Sequence, residues 1–263
     1  MCLWKGFKKM NRKITGCIVT YNNIATIDKA VSSLLECTES DFRLYIVDNG
    51  STDGTPEFIE KNYPEVTVIR SGGNIGFGAG HNLILDRLDS DYHVIINPDI
   101  SVRDDVISSL AAYLDGNPDA GLVSPEVRFP DGKPQILGKR NPCLRYLFAS
   151  HFRGKGDAEK TLREYAMLDE DYSKPFPIEN ATGCFIFIRT EIFKKLGGFD
   201  KRYFMYFEDC DLSREVNRIS KVIFNPLVTV YHEWHRESKS NMKLKLIHIT
   251  SMLKYFAKWT FKK

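Results

Sequence analysis

Carboxylates and imidazoles in this sequence stand directly behind short apolar runs, a placement that points to chemistry at strand ends. In the stretch HVIINPDIS, His93-Val94-Ile95-Ile96 has β-strand character and runs into Asn97-Pro98-Asp99. Proline cannot donate to a sheet ladder and ends the strand, so Asn97 and Asp99 are delivered to its carboxyl end. His232 follows the apolar run Val228-Thr229-Val230-Tyr231 in the same way. Asp99 with an imidazole is a partial shell for Mg²⁺ or Mn²⁺, the remaining positions going to phosphate oxygens. Asp48 closes a third run, where a carboxylate can accept the imide N–H of a uracil or thymine ring. Glu208, Asp209 and Asp211 gather where a helix starts, which needs one or two acidic groups at most for its dipole. The aromatic neighbours Tyr203, Phe204, Tyr206 and Phe207 would desolvate such a group and raise its pKa toward that of a useful base, which favours a catalytic Asp209. Successive helical residues point about 100° apart, so the three carboxylates cannot all face one ligand.

The elements that must position these residues alternate along the chain. Strand-like runs fall at 13–21, 42–49, 66–70, 92–97 and 120–125, separated by helix-like stretches near 25–37, 54–62, 79–89 and 103–115. Such alternation predicts a parallel sheet with crossover helices, and ligands of such sheets bind beyond the strands' carboxyl ends. The polar residues collect there: Thr20-Tyr21-Asn22, Asp48-Asn49-Gly50-Ser51 and Asn97-Pro98-Asp99. Ser51 and Asp53 could equally cap the next helix. The glycine-rich 72–82 lacks the third glycine of a dinucleotide fingerprint and follows the third strand, not the first. It reads as a tight turn packing a helix onto the sheet, with Asn74 and Asn82 facing a ligand. Residues 126–180 are rich in Pro, Gly and charge and read as a long insertion or mobile loop region with a helical patch near 157–168. A strand at 184–189 then leads into a helix with Thr190 as N-cap and Gly197 at its end, and a short strand follows at 221–226.

Composition sets the outer limits. With 263 residues and 43% hydrophobics the chain can bury a sizeable core, and a net charge of +3 is too small to argue for nucleic acid. Six cysteines lie scattered without a CxxC pair, which predicts reduced thiols in a cytosolic protein, neither secreted nor membrane-spanning. His235 reads as structural. Residues 241–263 place Met242, Leu246, Ile249, Leu253 and Phe256 on one helical stripe beside Lys243, Lys245, Lys254 and Lys258, with Trp259 near its edge. That pattern suits an anionic membrane surface; the alternative is packing of the stripe on the rest of the domain.

Taken together, IVTYN (18–22), VDNGSTDG (47–54), NIGFGAGHN (74–82), NPD (97–99), TGCFIFIRTEIFKKLGGFD (182–200), YFEDCDLSR (206–214) and VYH (230–232) resemble the family 2 glycosyltransferases of the GT-A fold, in particular the bacterial rhamnosyltransferase-like branch that builds cell-surface polysaccharide. The resemblance implies an α/β domain with a Rossmann-like, mostly parallel central sheet flanked by helices, and a C-terminal amphipathic helical tail. It divides the chain into a basic extension (1–13), a nucleotide-sugar half (14–125), an acceptor and catalytic-base half (126–235) and the tail (236–263). It also implies inverting transfer from a dTDP- or UDP-linked sugar to a saccharide or polyprenyl-linked acceptor, by an enzyme peripheral at the inner face of the cell membrane. Asp48 then reads the base with Thr20, Tyr21, Asn22 and Asn49 around it, and Asn74, Gly76, Asn82 and Asn97 complete the donor site. Asp99 and His232 hold the metal, Asp209 is the base, and Thr182, Gly183, Glu208 and Asp211 lie on the acceptor side. The family's DxD is here Asn97-Pro98-Asp99, which retains a ribose contact but leaves charge compensation of the metal to Asp99 alone. A dinucleotide-dependent oxidoreductase and a catalytically silent carbohydrate-binding protein are the readings from other classes.

Overall fold

The computed structural model describes residues 12–151, 157–233 and 242–262. The first half is built as the alternation predicts. β1 (Lys13–Thr20), β2 (Asp41–Asp48), β3 (Thr67–Arg70) and β4 (Tyr92–Ile96) pair in parallel in the order β3-β2-β1-β4. The helices α1 (Ile27–Cys37), α2 (Thr55–Asn62) and the short α3 (Phe77–Asn82) connect them. The central strands are apolar along nearly their whole length because both faces are covered. Along β1 the side chains alternate between two cores: Ile14 and Ile18 join Val31, Leu34, Ile46 and Leu110 on one face, while Cys17 and Val19 join Val47, Ile95, Ile186 and Phe193 on the other.

Beyond β4 the sheet changes sense. β5 (Ile100–Ser101), α4 (Val106–Gly116) and β6 (Ala120–Arg128) are followed by α5 (Leu144–His151), α6 (Asp157–Tyr165) and β7 (Phe176–Pro177), so the stretch read as an insertion carries elements of its own. β8 (Phe185–Arg189) inserts antiparallel between β4 and β6, and β9 (Lys221–His232) runs parallel to β6. Among the described residues nine strands thus form one sheet in the order β3-β2-β1-β4-β8-β6-β9-β5, with β7 on β9. The strand expected at 221–226 continues to His232 because its second half pairs with both β6 and β5.

α7 (Thr190–Leu196) ends at Gly197 in the left-handed conformation, φ 77°, as expected. Thr190, however, is its first helical residue and not its N-cap; the hydroxyl lies 3.0 Å from Ser90 Oγ. α8 (Glu208–Val216) carries the three carboxylates, and α9 (Met242–Phe261) packs back onto it through a third aromatic cluster of Tyr203, Phe207, Tyr255 and Trp259. Residues 1–11, which hold most of the basic extension, and His235 lie outside the described residues.

Candidate active site

Sheet register brings the first pair of functional side chains together. β5 pairs with the end of β9 so that Ile100 lies opposite His232, which sets Asp99 beside it, and the Glu233 N–H donates to the Asp99 carbonyl at 3.1 Å. Asp99 Oδ1 stands 3.3 Å from His232 Nε2. The other ring nitrogen, Nδ1, lies 3.1 Å from Gln135 Oε1, and Gln135 Nε2 donates to the His232 carbonyl at 2.8 Å. Two bonds from one amide fix the ring and turn Nε2 toward the carboxylate. A partner on the far ring nitrogen is how proteins orient a metal-ligating histidine. No group of three or more His, Cys, Asp or Glu arranged to hold a metal ion occurs among the described residues. One carboxylate and one imidazole therefore fit a divalent cation that takes its other ligands from a diphosphate and water.

The second convergence is on Asp209. β4 and β8 pair with Ile96 opposite Phe185, and the Asn97 N–H donates to the Cys184 carbonyl at 2.9 Å, so Gly183 sits beside the NPD turn. The Gly183 N–H donates to Asp209 Oδ2 at 2.8 Å, and the Cys210 N–H donates to Oδ1 at 2.8 Å. A Cβ on Gly183 would come within 3.1 Å of Asp209 Cβ, so a side chain there would press on the carboxylate. Burial pushes the Cys184 thiol up, and the charges of Asp99 and Asp209 add to it.

Backbone strain and burial tune this end of the site. Tyr206 and Phe207, immediately before α8, hold φ of 71° and 69°, a conformation unfavourable for bulky residues and enriched at functional sites. Glu208 is buried, and burial followed by the charge of Asp209 pushes its carboxyl up to about 8. Burial also raises Asp209, but the N–H groups of Gly183 and Cys210 pull it back. Glu208 Oε2 has no partner among the described residues, so burial favours the protonated form of Glu208, while two backbone N–H groups favour the charged form of Asp209.

The nucleotide side is more committed to its own loops than the sequence reading allows. Asp48 is buried, and its carboxylate accepts the N–H groups of Gly50 (3.1 Å) and Ser51 (3.2 Å), with Thr20 Oγ1 at 3.5 Å. It shapes the turn that a base would meet. Asn49 Nδ2 donates to the Gly76 carbonyl at 3.0 Å, while its buried Oδ1 has no partner among the described residues. Ser51 and Asp53 tie the two loops together by accepting the N–H groups of Asn22 (2.9 Å) and Ile24 (3.0 Å). Asn22, at φ 58°, accepts in return from Thr52 N–H at 2.8 Å. Tyr21 leaves its ring half exposed beside this crevice, and Asn74 turns its Oδ1 onto the Gly76 N–H at 3.1 Å.

Three residues stand otherwise than the sequence predicts. Asn82 does not face a ligand: its amide donates to the Phe199 carbonyl at 2.7 Å and accepts the Phe199 N–H at 2.8 Å, clamping α3 to the turn after α7. Gly76 is buried and serves packing; a Cβ there would lie 2.2 Å from the Phe204 carbonyl, whose oxygen accepts the Phe77 N–H at 2.9 Å. Asp211 points away from the acceptor side, into α9. It accepts Trp259 Nε1–H at 2.8 Å, Lys258 Nζ at 2.7 Å and Tyr203 O–H at 3.3 Å. Lys258 also meets Asp200 (3.0 Å) and Glu215 (3.0 Å). Burial alone would lower its pKa, but the hydrogen bonds to Asp211, Glu215 and Asp200 raise it.

Lys258 and Trp259 are therefore docking groups of the tail and not membrane-facing ones. Ser251 Oγ donates to the Met205 carbonyl at 2.8 Å, so the helix also braces the strained turn before the base. Removing Asp211 leaves Lys258 with Asp200 and Glu215 but strands the buried Trp259 Nε1–H and Tyr203 O–H, and each buried donor left unsatisfied costs about 1–3 kcal/mol. Asp211→Ala is expected to lower Tm by roughly 10 °C for a chain of this size while retaining turnover in the cold. A scanning calorimetry trace unchanged by the substitution would show that Asp211 does not hold the tail.

The fold and this arrangement are those of a glycosyltransferase of the GT-A kind, with polar loops at the strand ends, the Asp99–His232 pair and the Asp209 carboxylate held by two backbone N–H groups. The sequence matches the family described as "Glycosyl transferase family 2" over residues 16–197. The chain belongs to that family, which displaces the oxidoreductase reading. It is 27% identical over 230 residues to the N-acetylglucosaminyl-diphospho-decaprenol L-rhamnosyltransferase of Mycobacterium tuberculosis, covering 81% of this chain and 74% of that one. To the rhamnosyltransferase WbbL of Escherichia coli it is 24% identical over 200 residues, covering 72% of each. Among solved structures, a mannosyltransferase from Pyrobaculum calidifontis in complex with GDP-Man and Mn²⁺ superposes with a TM-score of 0.69 at 16% identity, covering 97% of this chain and 66% of that one. GalNAc-T7 with UDP, GalNAc and Mn²⁺ superposes with a TM-score of 0.69 at 14% identity, covering 95% and 48%. The chain thus spans about half to two thirds of the length of these two structures.

Proposed function

We propose that this protein is an inverting glycosyltransferase that moves a sugar, with rhamnose the favoured candidate, from a dTDP- or UDP-linked donor to a saccharide hydroxyl on a polyprenyl-linked acceptor. The observation that carries this reading is Asp99 at 3.3 Å from His232 beside a carboxylate, Asp209, held by the Gly183 N–H at 2.8 Å. Tyr21 offers a face for the base, and Asn97 stands where a ribose would lie. A divalent cation, when bound at Asp99 and His232, stabilises the charge that grows on the departing nucleoside diphosphate. Asp209 takes the proton of the acceptor hydroxyl as its oxygen bonds to the anomeric carbon and the bond to the diphosphate oxygen breaks. The relatives that act on rhamnose support the donor choice, and the decaprenol in one relative's name supports the acceptor class. Thermal unfolding with a panel of nucleotide sugars tests the donor: dTDP-rhamnose with Mn²⁺ at 100 times its Kd should stabilise by about 2.7 kcal/mol. Equal protection by NAD would overturn the reading.

The same reading places the enzyme in the cytoplasm, peripheral at the inner membrane face. No helix among the described residues is long and apolar enough to cross a membrane. The stripe of Met242, Leu246, Ile249 and Leu253 remains exposed although the opposite face of α9 is docked through Ser251, Tyr255 and Trp259. Leu144 and Phe148 of α5 are exposed as well. Apolar side chains beside exposed Lys245 suit an anionic bilayer surface. Leu246→Glu with Leu253→Glu, which leaves the docked face intact, should abolish co-sedimentation with phosphatidylglycerol vesicles; undiminished binding would refute this surface.

A further inference from the structure

A cavity of about 420 Å³ lies over β6 and β9, lined by Glu126, Gln135, Lys139, Tyr172, Thr182 and Phe224 among others. Sheet order locates it relative to the chemistry. The nucleotide loops follow β1 and β2, the NPD turn follows β4, Gly183 precedes β8, and the cavity comes next across the sheet. Gln135 in its wall orients His232, and Thr182 adjoins the glycine that holds Asp209. The reaction centre therefore stands between the nucleotide loops and this cavity.

Lys139 is the unusual group in it. Its backbone is pinned: the N–H donates to the Tyr165 carbonyl at 2.9 Å, and its carbonyl accepts the N–H groups of Glu179 (2.8 Å) and Asn180 (2.9 Å). The side chain is only 7% exposed, with Nζ 4.3 Å from the centre of the Phe224 ring and 5.3 Å from that of Tyr172. No hydrogen bond joins the ammonium to an acceptor among the described residues. The nearby carboxylate, Glu126, is engaged by Arg128, whose Nε is 2.7 Å from Oε2. Burial lowers the pKa of Lys139 to about 8, with Glu126 opposing. The ammonium is held against two aromatic rings with no side-chain acceptor beside it among the described residues, and a ligand that brings an oxyanion supplies one.

We propose that this cavity is the acceptor subsite and that Lys139 recognises an anionic oxygen on the acceptor, a phosphate or a carboxylate, while the Tyr172 and Phe224 rings pack the apolar part of the molecule. The proposal rests on the glycosyltransferase reading above and adds a specificity residue to it. It is tested with wild type and Lys139→Met, which keeps the side-chain stem against the rings. The acceptors are three: a short-chain prenyl diphosphate sugar, a methyl uronoside and a neutral methyl glycoside. A hydrogen-bonded charge lost from the site corresponds to about a tenfold to hundredfold rise in acceptor KM. That rise is expected for the anionic acceptor that the site takes, with kcat and the donor Kd little changed and no change for the neutral one. Which anionic acceptor responds identifies phosphate or carboxylate as the source.

The pH profile supplies a second readout. The acidic groups lining the cavity beside Lys139 are Glu126, Glu170 and Tyr172, and burial pushes the Tyr172 hydroxyl up to about 12. Between pH 7 and 9 wild type should lose affinity for the anionic acceptor as the ammonium deprotonates, and Lys139→Met should not. Equal KM changes for charged and neutral acceptors would overturn the proposal. So would a fall in Tm of Lys139→Met, because it would give the ammonium a partner within the protein. Failure of wild type to bind any nucleotide sugar would instead strike the underlying reading.

Discussion

Asp209→Asn is expected to reduce turnover by about 10²- to 10⁴-fold with the donor dissociation constant nearly unchanged. The amide keeps the shape of the side chain, and its one oxygen can accept from either of the two N–H groups the carboxylate now takes, Gly183 at Oδ2 and Cys210 at Oδ1, both at 2.8 Å. What it loses is the anion that receives the acceptor proton. Glu208 is the competing assignment and its own control. Its carboxyl, pushed up to about 8 by burial and by the charge of Asp209, is protonated at pH 7 and is no base there. Glu208→Gln should therefore cost little turnover. Its effect on stability has a definite sign. A carboxyl whose folded pKa exceeds its unfolded value contributes stability fully below about 4.5, its unfolded range, and loses it as pH rises through about 8. Glutamine removes that loss, so the variant should melt higher than wild type at pH 7–8 and not at pH 4. Near-normal turnover in Asp209→Asn, or a deeper loss in Glu208→Gln, would move the base one residue back.

The strand-end chemistry was legible because it is local. Proline after a β-branched run fixes where Asp99 emerges, and apolar alternation fixes the sheet that surrounds it. The tail marks where local pattern stops. The stripe of Met242, Leu246, Ile249 and Leu253 has the period of a buried face, yet the face that docks is Ser251, Tyr255 and Trp259, chosen by partners on α8 and in the turn before it. In the sequence Asp211 reads as an acceptor-side or helix-capping carboxylate, whereas its partners Lys258 and Trp259 come from 47 and 48 residues away. Asn82 reads as a ligand group from its place in the glycine-rich turn, whereas its two bonds reach Phe199, 117 residues on. Gln135 and Lys139 carried no signal at all. They lie in a Pro- and Gly-rich segment without periodicity, and their meaning arises only when β6, β8 and β9 are assembled around them.

Asp99→Ala should abolish the dependence of donor binding on a divalent cation and reduce turnover by roughly 10²- to 10³-fold. The size of the effect follows from the sparseness of the site. Asn97 is neutral where a second carboxylate would share the charge, and the imidazole of His232 brings no negative charge, so Asp99 is the anionic protein ligand available to a cation there. Without it, the diphosphate would have to recruit the metal from solution onto a lone imidazole. Gln135→Leu separates orientation from ligation. It frees the ring that Gln135 now holds at 3.1 Å through Nδ1, and loss of such an outer partner typically weakens metal affinity by about 10- to 100-fold. The Mn²⁺ concentration for half-maximal rate should rise accordingly while the rate at saturating Mn²⁺ recovers, a pattern that removal of the ligand itself cannot show. Titration calorimetry of dTDP or UDP into the three proteins, with Mn²⁺ and with chelator, decides the matter. Wild type binding the nucleotide equally well under both conditions would mean that Asp99 and His232 form a hydrogen-bonded structural pair, and that the leaving group is stabilised by the protein's own donors.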